Sequence, residues 1–201
     1  IIFHGAIYLA LRTEDVVKKR ELQASTIALI VVVVTFSLAG LWINFGIKGY
    51  SMVAGSYLPA AAPDPLHKQV VTATGAWMQN YQQYPLLLVI PVLAYLGFIL
   101  AWLLAKNGKA FAAFWSSALG LAGVIATAGV AMFPFIMPSN TDLRSSLTVW
   151  DASSSEFTLK VMLVAAIIFV PIVLFYTSWC YRVMRGKVTS EHIRRNDHSA
   201  Y

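Results

Sequence analysis

Charged residues and cysteine are both scarce in this sequence. Only 12% of its 201 residues are Asp, Glu, Lys or Arg, against roughly 25% in soluble globular proteins. Cys180 is the single cysteine, which excludes an intrachain disulfide and leaves the redox compartment open. Hydrophobic residues make up 58% of the chain, and the mean hydropathy is +0.67. This composition excludes a soluble domain and predicts an integral membrane protein.

Four long segments contain no Asp, Glu, Lys, Arg or His: residues 24–46, 85–105, 110–137 and 161–181. Each can cross a bilayer core, which needs about 20 apolar residues in a helix. The chain opens on a shorter apolar run, IIFHGAIYLAL, which we expect to be the distal half of a helix in a chain truncated at its N-terminus. This run lacks the flanks of a signal peptide. The sequence predicts an all-α membrane protein with four complete transmembrane helices plus the end of a fifth.

The 15 Lys and Arg residues are distributed unevenly around these segments. One side holds most of them: Arg12, Lys18, Lys19, Arg20, Lys106, Lys109, Arg182, Arg185, Lys187, Arg194 and Arg195. The other side holds the rest: Lys48, Lys68, Arg144 and Lys160. The positive-inside rule predicts that the first set is cytoplasmic, so that the tail 182–201 lies inside and the loop 47–84 outside. The net charge of +6 is therefore a topology signal, and we expect no nucleic-acid binding.

The first outer connection, residues 47–84, is too long for a simple turn, and its second half has helical spacing. Asp64 suits the capping position of a helix, and Pro65 suits its first position. Residues recur at intervals of three and four at Leu66, Val70, Ala73, Trp77 and Tyr81. We predict an amphipathic helix on the outer surface that covers the ends of the spans. A ligand lid and a subunit contact are the alternatives.

Prolines and small residues predict how the spans pack. Pro91 and Pro171 fall inside the second and fourth complete spans, where each removes a backbone hydrogen bond and is expected to kink its helix. The third complete span carries two stripes of small residues at four-residue spacing: Ala118, Ala122, Ala126 and Gly123, Thr127, Ala131. Both stripes predict close contact with neighbouring helices.

A polar connection separates the third and fourth complete spans. Pro134 and Pro138 end the third span, and Ser153 and Glu156 have the S-x-x-E spacing of a capping box at a new helix start. Asp151 adds negative charge near that helix end. We therefore predict a capping role for this segment. The alternative assigns Asp151 to proton exit, quinone contact or partner docking.

The spans contain no histidine and no carboxylate, and Cys180 lies at the end of the last one, so we expect no metal or haem site at membrane depth. His4 is the one histidine near a span, and the small neighbours Gly5 and Ala6 suit tight helix packing, so we assign it a structural role. No span carries the ionisable residue that ion-coupled transport normally requires. The chain also lacks a phosphate-binding glycine loop and a nucleophile motif. We predict no catalytic, cofactor-binding or metal-binding residue in this chain.

Several longer motifs follow one another along the chain: FHGAIYLALRT, LAGLWINFGIKGY, AMFPFIMPSNTDLRSSLTVWDASSSEFTL, PIVLFYTSWCYRVMRGKV and RRNDHSAY. Together they resemble subunit II of the cytochrome bd-type ubiquinol oxidases. The resemblance covers essentially the whole chain. It implies that residues 1–201 form a single transmembrane domain that is the C-terminal part of a larger subunit.

This resemblance implies a complex of the bacterial cytoplasmic membrane that oxidises ubiquinol and reduces oxygen to water. It also implies that a partner, subunit I, carries the haems and binds quinol, while this subunit binds no haem and stabilises haem assembly. Membrane lipid is a further expected partner, and a small single-helix subunit is a candidate one. From the residues alone two other functions stay open: half or an accessory subunit of a membrane transporter, and a purely structural membrane protein.

Overall fold

The computed structural model of the protein describes residues 1–13, 15–54 and 68–183, with only the backbone described at residues 15, 16 and 54. In chain order the elements are α1 (Ile2–Arg12), α2 (Asp15–Phe45), β1 (Lys48–Ala54), β2 (Gln69–Thr74), α3 (Gln79–Gln83), α4 (Val89–Lys106), α5 (Ala110–Met132), β3 (Phe135–Met137), β4 (Leu147–Thr148), α6 (Val149–Ala152) and α7 (Glu156–Val183). Short 3₁₀ turns at Ala76–Met78 and Pro85–Leu88 precede α3 and α4.

Among the described residues, four helices are long and apolar enough to cross a membrane: Val17–Phe45, Pro85–Lys106, Ala110–Met132 and Glu156–Val183. They confirm the four predicted spans and the all-α membrane class. The shorter apolar helix α1 has 11 residues and packs against α2 and α5. Helices suit the bilayer because each satisfies its backbone hydrogen bonds internally.

The core of the bundle lies where α1, α4 and α5 meet. Its most deeply buried side chains are Phe3, Ile7, Phe98, Ala101, Ala105 and Ala113. Phe3 and Phe98 meet edge to face with ring centroids 5.4 Å apart, a geometry that aromatic quadrupoles favour. By contrast, none of the residues of α7 is buried. Within the described chain, α7 therefore stands apart from the bundle.

Glycines let α4 and α5 approach each other closely. A Cβ atom at Gly97 would lie 2.6 Å from the backbone nitrogen of Gly120, and one at Gly123 would lie 2.9 Å from the Cα of Ala94. Such distances are too short for real side chains, so these positions require glycine. The predicted stripe through Gly123 lies in this contact, whereas Ala122 of the other stripe is exposed. Small residues thus mediate close packing on one face of α5 rather than two.

The end of α5 corrects the predicted boundary of the third complete span. The helix ends at Met132 instead of residue 137. Pro134 disfavours helical backbone at the residue before it, and Phe133 accordingly has φ −59° and ψ 133°. The following residues, Phe135–Met137, form β3 instead.

The two prolines predicted to kink helices occupy different helical positions. Pro91 lies in the first turn of α4, which begins at Val89. The 3₁₀ turn Pro85–Leu88 runs directly into this helix, so Pro91 lies near the start of a continuous helical span. Pro171 lies in the interior of α7, as predicted.

The amphipathic helix predicted in the first outer connection is wrong over its described part. Val70 and Ala73 lie in β2, which pairs antiparallel with β1. Helical structure in this part is confined to the 3₁₀ turn Ala76–Met78 and the five-residue α3. The sequence of β2, QVVTAT, is rich in branched side chains that favour a strand, and Gly75 turns the chain at φ 76°. Outside the described residues lie the other predicted positions: Asp64, Pro65 and Leu66.

Candidate functional site

A solvent-shielded ion pair joins the two connections between spans that the sequence predicts to be outer. Lys68 Nζ lies 2.6 Å from Asp151 Oδ2, and the two side chains are only 4% and 11% exposed. Lys68 directly precedes β2, and Asp151 lies in α6 between the third and fourth complete spans. Charged side chains are rarely buried unless they are paired, because desolvation disfavours an isolated charge. The pair therefore holds together two segments that are 83 positions apart in the sequence.

Thr148 completes the surroundings of Asp151. Its hydroxyl and its backbone N–H donate to Asp151 Oδ2 at 2.7 and 3.1 Å, and the Asp151 N–H donates back to Thr148 Oγ1 at 3.4 Å. These reciprocal bonds form a capping box at the start of α6. Burial raises the pKa of Asp151, but the hydrogen bonds from Lys68 and Thr148 outweigh burial and hold that pKa below its ordinary value. Asp151 is therefore ionised at neutral pH.

The capping box predicted at Ser153 and Glu156 does not form. The Ser153 hydroxyl donates instead to the carbonyl of Trp150 at 3.2 Å, and its backbone is extended, with ψ 141°. The helix α7 begins at Glu156, and the side chain of Ser155 accepts from the Thr158 N–H at 3.4 Å. Asp151 consequently belongs to α6, one short helix earlier than predicted.

Replacing Thr148 by alanine should destabilise the assembled protein by about 1 kcal/mol through the lost cap. Ser153→Ala is the matched control and should change stability by less than about 0.5 kcal/mol, because Ser153 is exposed and caps no helix. Thermal denaturation of the complex that contains the full-length subunit measures both. A larger loss for Ser153→Ala than for Thr148→Ala would place the cap where the sequence alone predicted it.

An aromatic cluster also joins the two outer connections. The rings of Tyr50, Trp77 and Phe135 lie with centroids 5.4 to 6.2 Å apart, within the range that favours aromatic pairs. A Cβ atom at Gly49 would overlap the backbone of Trp77, so the hairpin needs glycine there. Together with the ion pair, this cluster holds the β1–β2 hairpin against the β3–β4 hairpin. We refer to residues 48–54, 68–83 and 135–152 as the outer cap, after the side of the membrane that the sequence predicts for them.

Side chains from α3 attach the outer cap to the end of α5. Asn80 Nδ2 donates to the carbonyls of Val130 and Phe133 at 2.7 and 2.6 Å, and the Tyr81 hydroxyl donates to the carbonyl of Thr127 at 2.8 Å. The last carbonyls of a helix lack intrahelical donors, so Asn80 supplies the missing ones. Burial raises the pKa of Tyr81, although its hydrogen bond to Thr127 acts in the opposite direction. Its hydroxyl therefore remains a donor at neutral pH.

His4 lies in the bundle contact between α1 and α5. Its Nδ1 is 2.7 Å from the Oγ of the fully buried Ser117, and its ring lies on Phe114 at 4.8 Å between centroids. The Ser117 hydroxyl also lies 2.7 Å from the carbonyl of Phe114, so a His4 tautomer with its hydrogen on Nδ1 satisfies both bonds. The sequence suggested that Gly5 allows tight helix packing beside His4. This is wrong, because a Cβ atom added at Gly5 would meet nothing within 4 Å. A hydrogen bond to Ser117 supports the structural role instead.

No group of three His, Cys, Asp or Glu side chains that could hold a metal occurs among the described residues. The other histidines lie outside those residues: His67, His192 and His198. The absence of catalytic and binding residues thus stays a prediction. Sequence reasoning missed Lys68 as a partner of Asp151. The sequence offered one signal for this pairing. Lys68 is one of only four basic residues on the predicted outer side, so it was one of few possible partners for an acidic side chain there.

The apolar helices and the outer cap define a multi-pass α-helical membrane protein. The chain belongs to the cytochrome bd terminal oxidase subunit II family, which it matches over residues 1–184. Multi-pass insertion and this family place it in the bacterial inner membrane.

Three relatives illustrate how far the similarity extends. The chain is 47% identical over 201 residues to cytochrome bd-I ubiquinol oxidase subunit 2 of Escherichia coli strain K12, covering 100% of the chain and 53% of that protein. It is 41% identical over 202 residues to the probable cytochrome oxidase subunit 2 of Haemophilus influenzae, again with 100% and 53% covered. Cytochrome bd ubiquinol oxidase subunit 2 of Bacillus subtilis matches 100 residues at 33% identity, or 50% of the chain and 30% of that protein. The chain thus spans about half the length of the first two relatives.

Proposed function

We propose that this chain is a haem-free part of a quinol oxidase that oxidises ubiquinol and reduces oxygen to water. In this proposal it supports a haem-bearing subunit I, with membrane lipid and a small single-helix subunit as further partners. The observation that carries the proposal is the similarity along the whole chain to proteins named as subunit 2 of ubiquinol oxidases. A fold with four apolar spans also suits a complex whose substrate is a membrane-soluble quinol.

The haem-free assignment is supported by the absence of histidine from the four described spans. Proteins hold haem iron through His, Cys, Met or Tyr side chains that face the porphyrin. His4, in the shorter helix α1, is hydrogen-bonded through Nδ1 to Ser117 and packs on Phe114, which supports a packing role for it. Cys180 lies near the end of α7, within two turns of the basic tail. The proposal therefore assigns this chain a supporting role and routes no electron through it.

The orientation of the chain in the membrane belongs to the same proposal. The excess of Lys and Arg beside one set of span ends supports a cytoplasmic C-terminus and an outer cap on the opposite surface. Accessibility of Cys180 to a membrane-impermeant thiol reagent tests this orientation. We expect faster labelling in inverted vesicles than in intact cells. Faster labelling in intact cells would contradict a cytoplasmic C-terminus.

Haem analysis of the full-length subunit tests its proposed role. Expressed without subunit I, the subunit should show no stoichiometric haem in a pyridine haemochrome spectrum, because the described spans contain no histidine. The complex purified through the same subunit should contain haem and consume oxygen when supplied with quinol. Stoichiometric haem in the isolated subunit would contradict the supporting role. A complex that contains no haem would contradict membership of an oxidase.

A further inference from the structure

An open cavity of about 410 Å³ lies on the basic side of the bundle, opposite the outer cap. Its described lining comes from the end of α1, the start of α2, and the turn that leads from α4 into α5. The lining residues are Ala10, Leu11, Lys18, Gly108, Lys109, Ala110, Phe111 and Ala112. The cavity is therefore apolar on its α1 wall and cationic where α2 and α5 begin.

Both charged side chains in this described lining are lysines. Lys18 is half-buried in the cavity wall, and Lys109 is exposed at its rim. Lysine side chains commonly bury their alkyl stem and keep the ammonium group in water, so Lys18 can still present its charge to the cavity. Neither lysine forms an ion pair with any described acidic residue. The cavity thus offers two positive charges to an occupant from outside the chain.

The backbone at the start of α5 adds hydrogen-bond donors to the same cavity. Lys109 is the N-cap of this 23-residue helix and makes no side-chain capping bond. The first intrahelical bond runs from Ala113 N–H to the Lys109 carbonyl, so the preceding N–H groups of the first turn have no intrahelical acceptor. Those residues, Ala110 to Ala112, line the cavity. A negatively charged oxygen atom matches both these donors and the lysines.

The position of the cavity indicates which kind of anion can reach it. It opens where α1 and α4 end and α5 begins, at the level of the membrane surface. Leu11 and Phe111 present apolar surface beside the lysines, as a molecule with both a phosphate and hydrocarbon chains requires. Clusters of Lys and Arg next to spans attract anionic lipids in general. We infer that this cavity binds the phosphate headgroup of an anionic membrane lipid, with Lys18 and Lys109 as its cationic contacts.

Native mass spectrometry of the assembled complex containing the full-length subunit tests the site. The delipidated complex is titrated separately with phosphatidylglycerol, phosphatidylcholine and inorganic phosphate. The double variant Lys18→Gln/Lys109→Gln should bind its tightest phosphatidylglycerol about 25-fold more weakly, since each lysine near an anionic surface contributes a factor of about five. The matched control, Lys19→Gln/Arg20→Gln, removes two exposed charges outside the cavity lining and should leave that affinity unchanged.

Each other outcome overturns part of the assignment. Equal losses in both double variants would show that general surface charge, and no specific cavity, attracts the lipid. Inorganic phosphate that binds as tightly as phosphatidylglycerol would assign the cavity to a free anion. Phosphatidylcholine that binds as tightly would remove the role of net negative charge. Haem content measured on the same samples shows whether each variant is assembled, and it should be equal in all of them.

Discussion

Replacing Asp151 by alanine should destabilise the assembled protein by up to about 3–5 kcal/mol, because it removes the carboxylate that lies 2.6 Å from the Lys68 ammonium group in a solvent-shielded place. Asp151→Asn should cost less, since the amide oxygen can still accept from Lys68 and Thr148. The thermal denaturation midpoint and the yield of complex containing the full-length subunit measure the loss. Lys68→Met in the Asp151→Ala background should recover part of it, because the ammonium group that lost the Asp151 carboxylate is then removed as well. The single variant Lys68→Met completes the comparison. A double variant whose loss of stability equals the sum of the losses in Asp151→Ala and Lys68→Met would show that the two side chains are not coupled.

The pH dependence of this loss follows from the depressed pKa of Asp151. A carboxyl group with a lowered pKa contributes stability above its unfolded value, which is 3.8 for Asp, and this contribution is lost as the pH falls through the folded value. The difference between wild type and Asp151→Asn should therefore be constant at neutral and mildly acidic pH. It should narrow below about pH 4. A difference that disappears instead near pH 6 would point to a titrating group other than Asp151.

Substituting leucine for Gly123 should disrupt the contact between α4 and α5 and lower the yield of assembled complex. The new Cβ atom would meet the backbone of Ala94, which cannot rotate away as a side chain can. Overpacking commonly costs about 1–3 kcal/mol, and a backbone obstacle places this variant at the upper end of that range. Thermal denaturation of the purified complex measures the effect.

Ala122→Leu is the control for this substitution, since it adds a comparable side chain at the neighbouring position on an exposed face of α5. It should leave the contact between α4 and α5 intact. A stable Gly123→Leu complex beside an unstable Ala122→Leu complex would contradict the helix contact described above. It would then favour the stripe of Ala118, Ala122 and Ala126 as the packing face.

The spans could be predicted from sequence because the bilayer imposes a length and a polarity that each segment must meet by itself. Their ends were less predictable, since hydropathy does not distinguish a helix from an apolar strand. The residues after Phe133 are as apolar as the helix before them, yet Pro134 ends the helix and β3 begins. Only the local backbone restriction before a proline carried that information.

The outer cap was less predictable because its structure depends on contacts between distant segments. The spacing that suggested a surface helix includes Val70 and Ala73, but these residues pair with β1 across a hairpin. Lys68 and Asp151 are in contact although they are 83 positions apart in the sequence. No local sequence pattern predicts which of several acidic residues a buried lysine will contact. At the fourth complete span, Thr148 and Asp151 had the same three-residue spacing as Ser153 and Glu156, and the structure forms the first box.

The separateness of α7 bears on how the protein is made. Its 28 residues have a mean hydropathy of 2.6 in their most apolar window, and none of that window is buried against the rest of the described chain. Such a helix gains its stability from partition into lipid and from its own backbone hydrogen bonds, and helix association is a later step. It can therefore leave the translocation machinery as an independent insertion unit during synthesis. Its final neighbours can then be reached by lateral diffusion within the bilayer, after insertion.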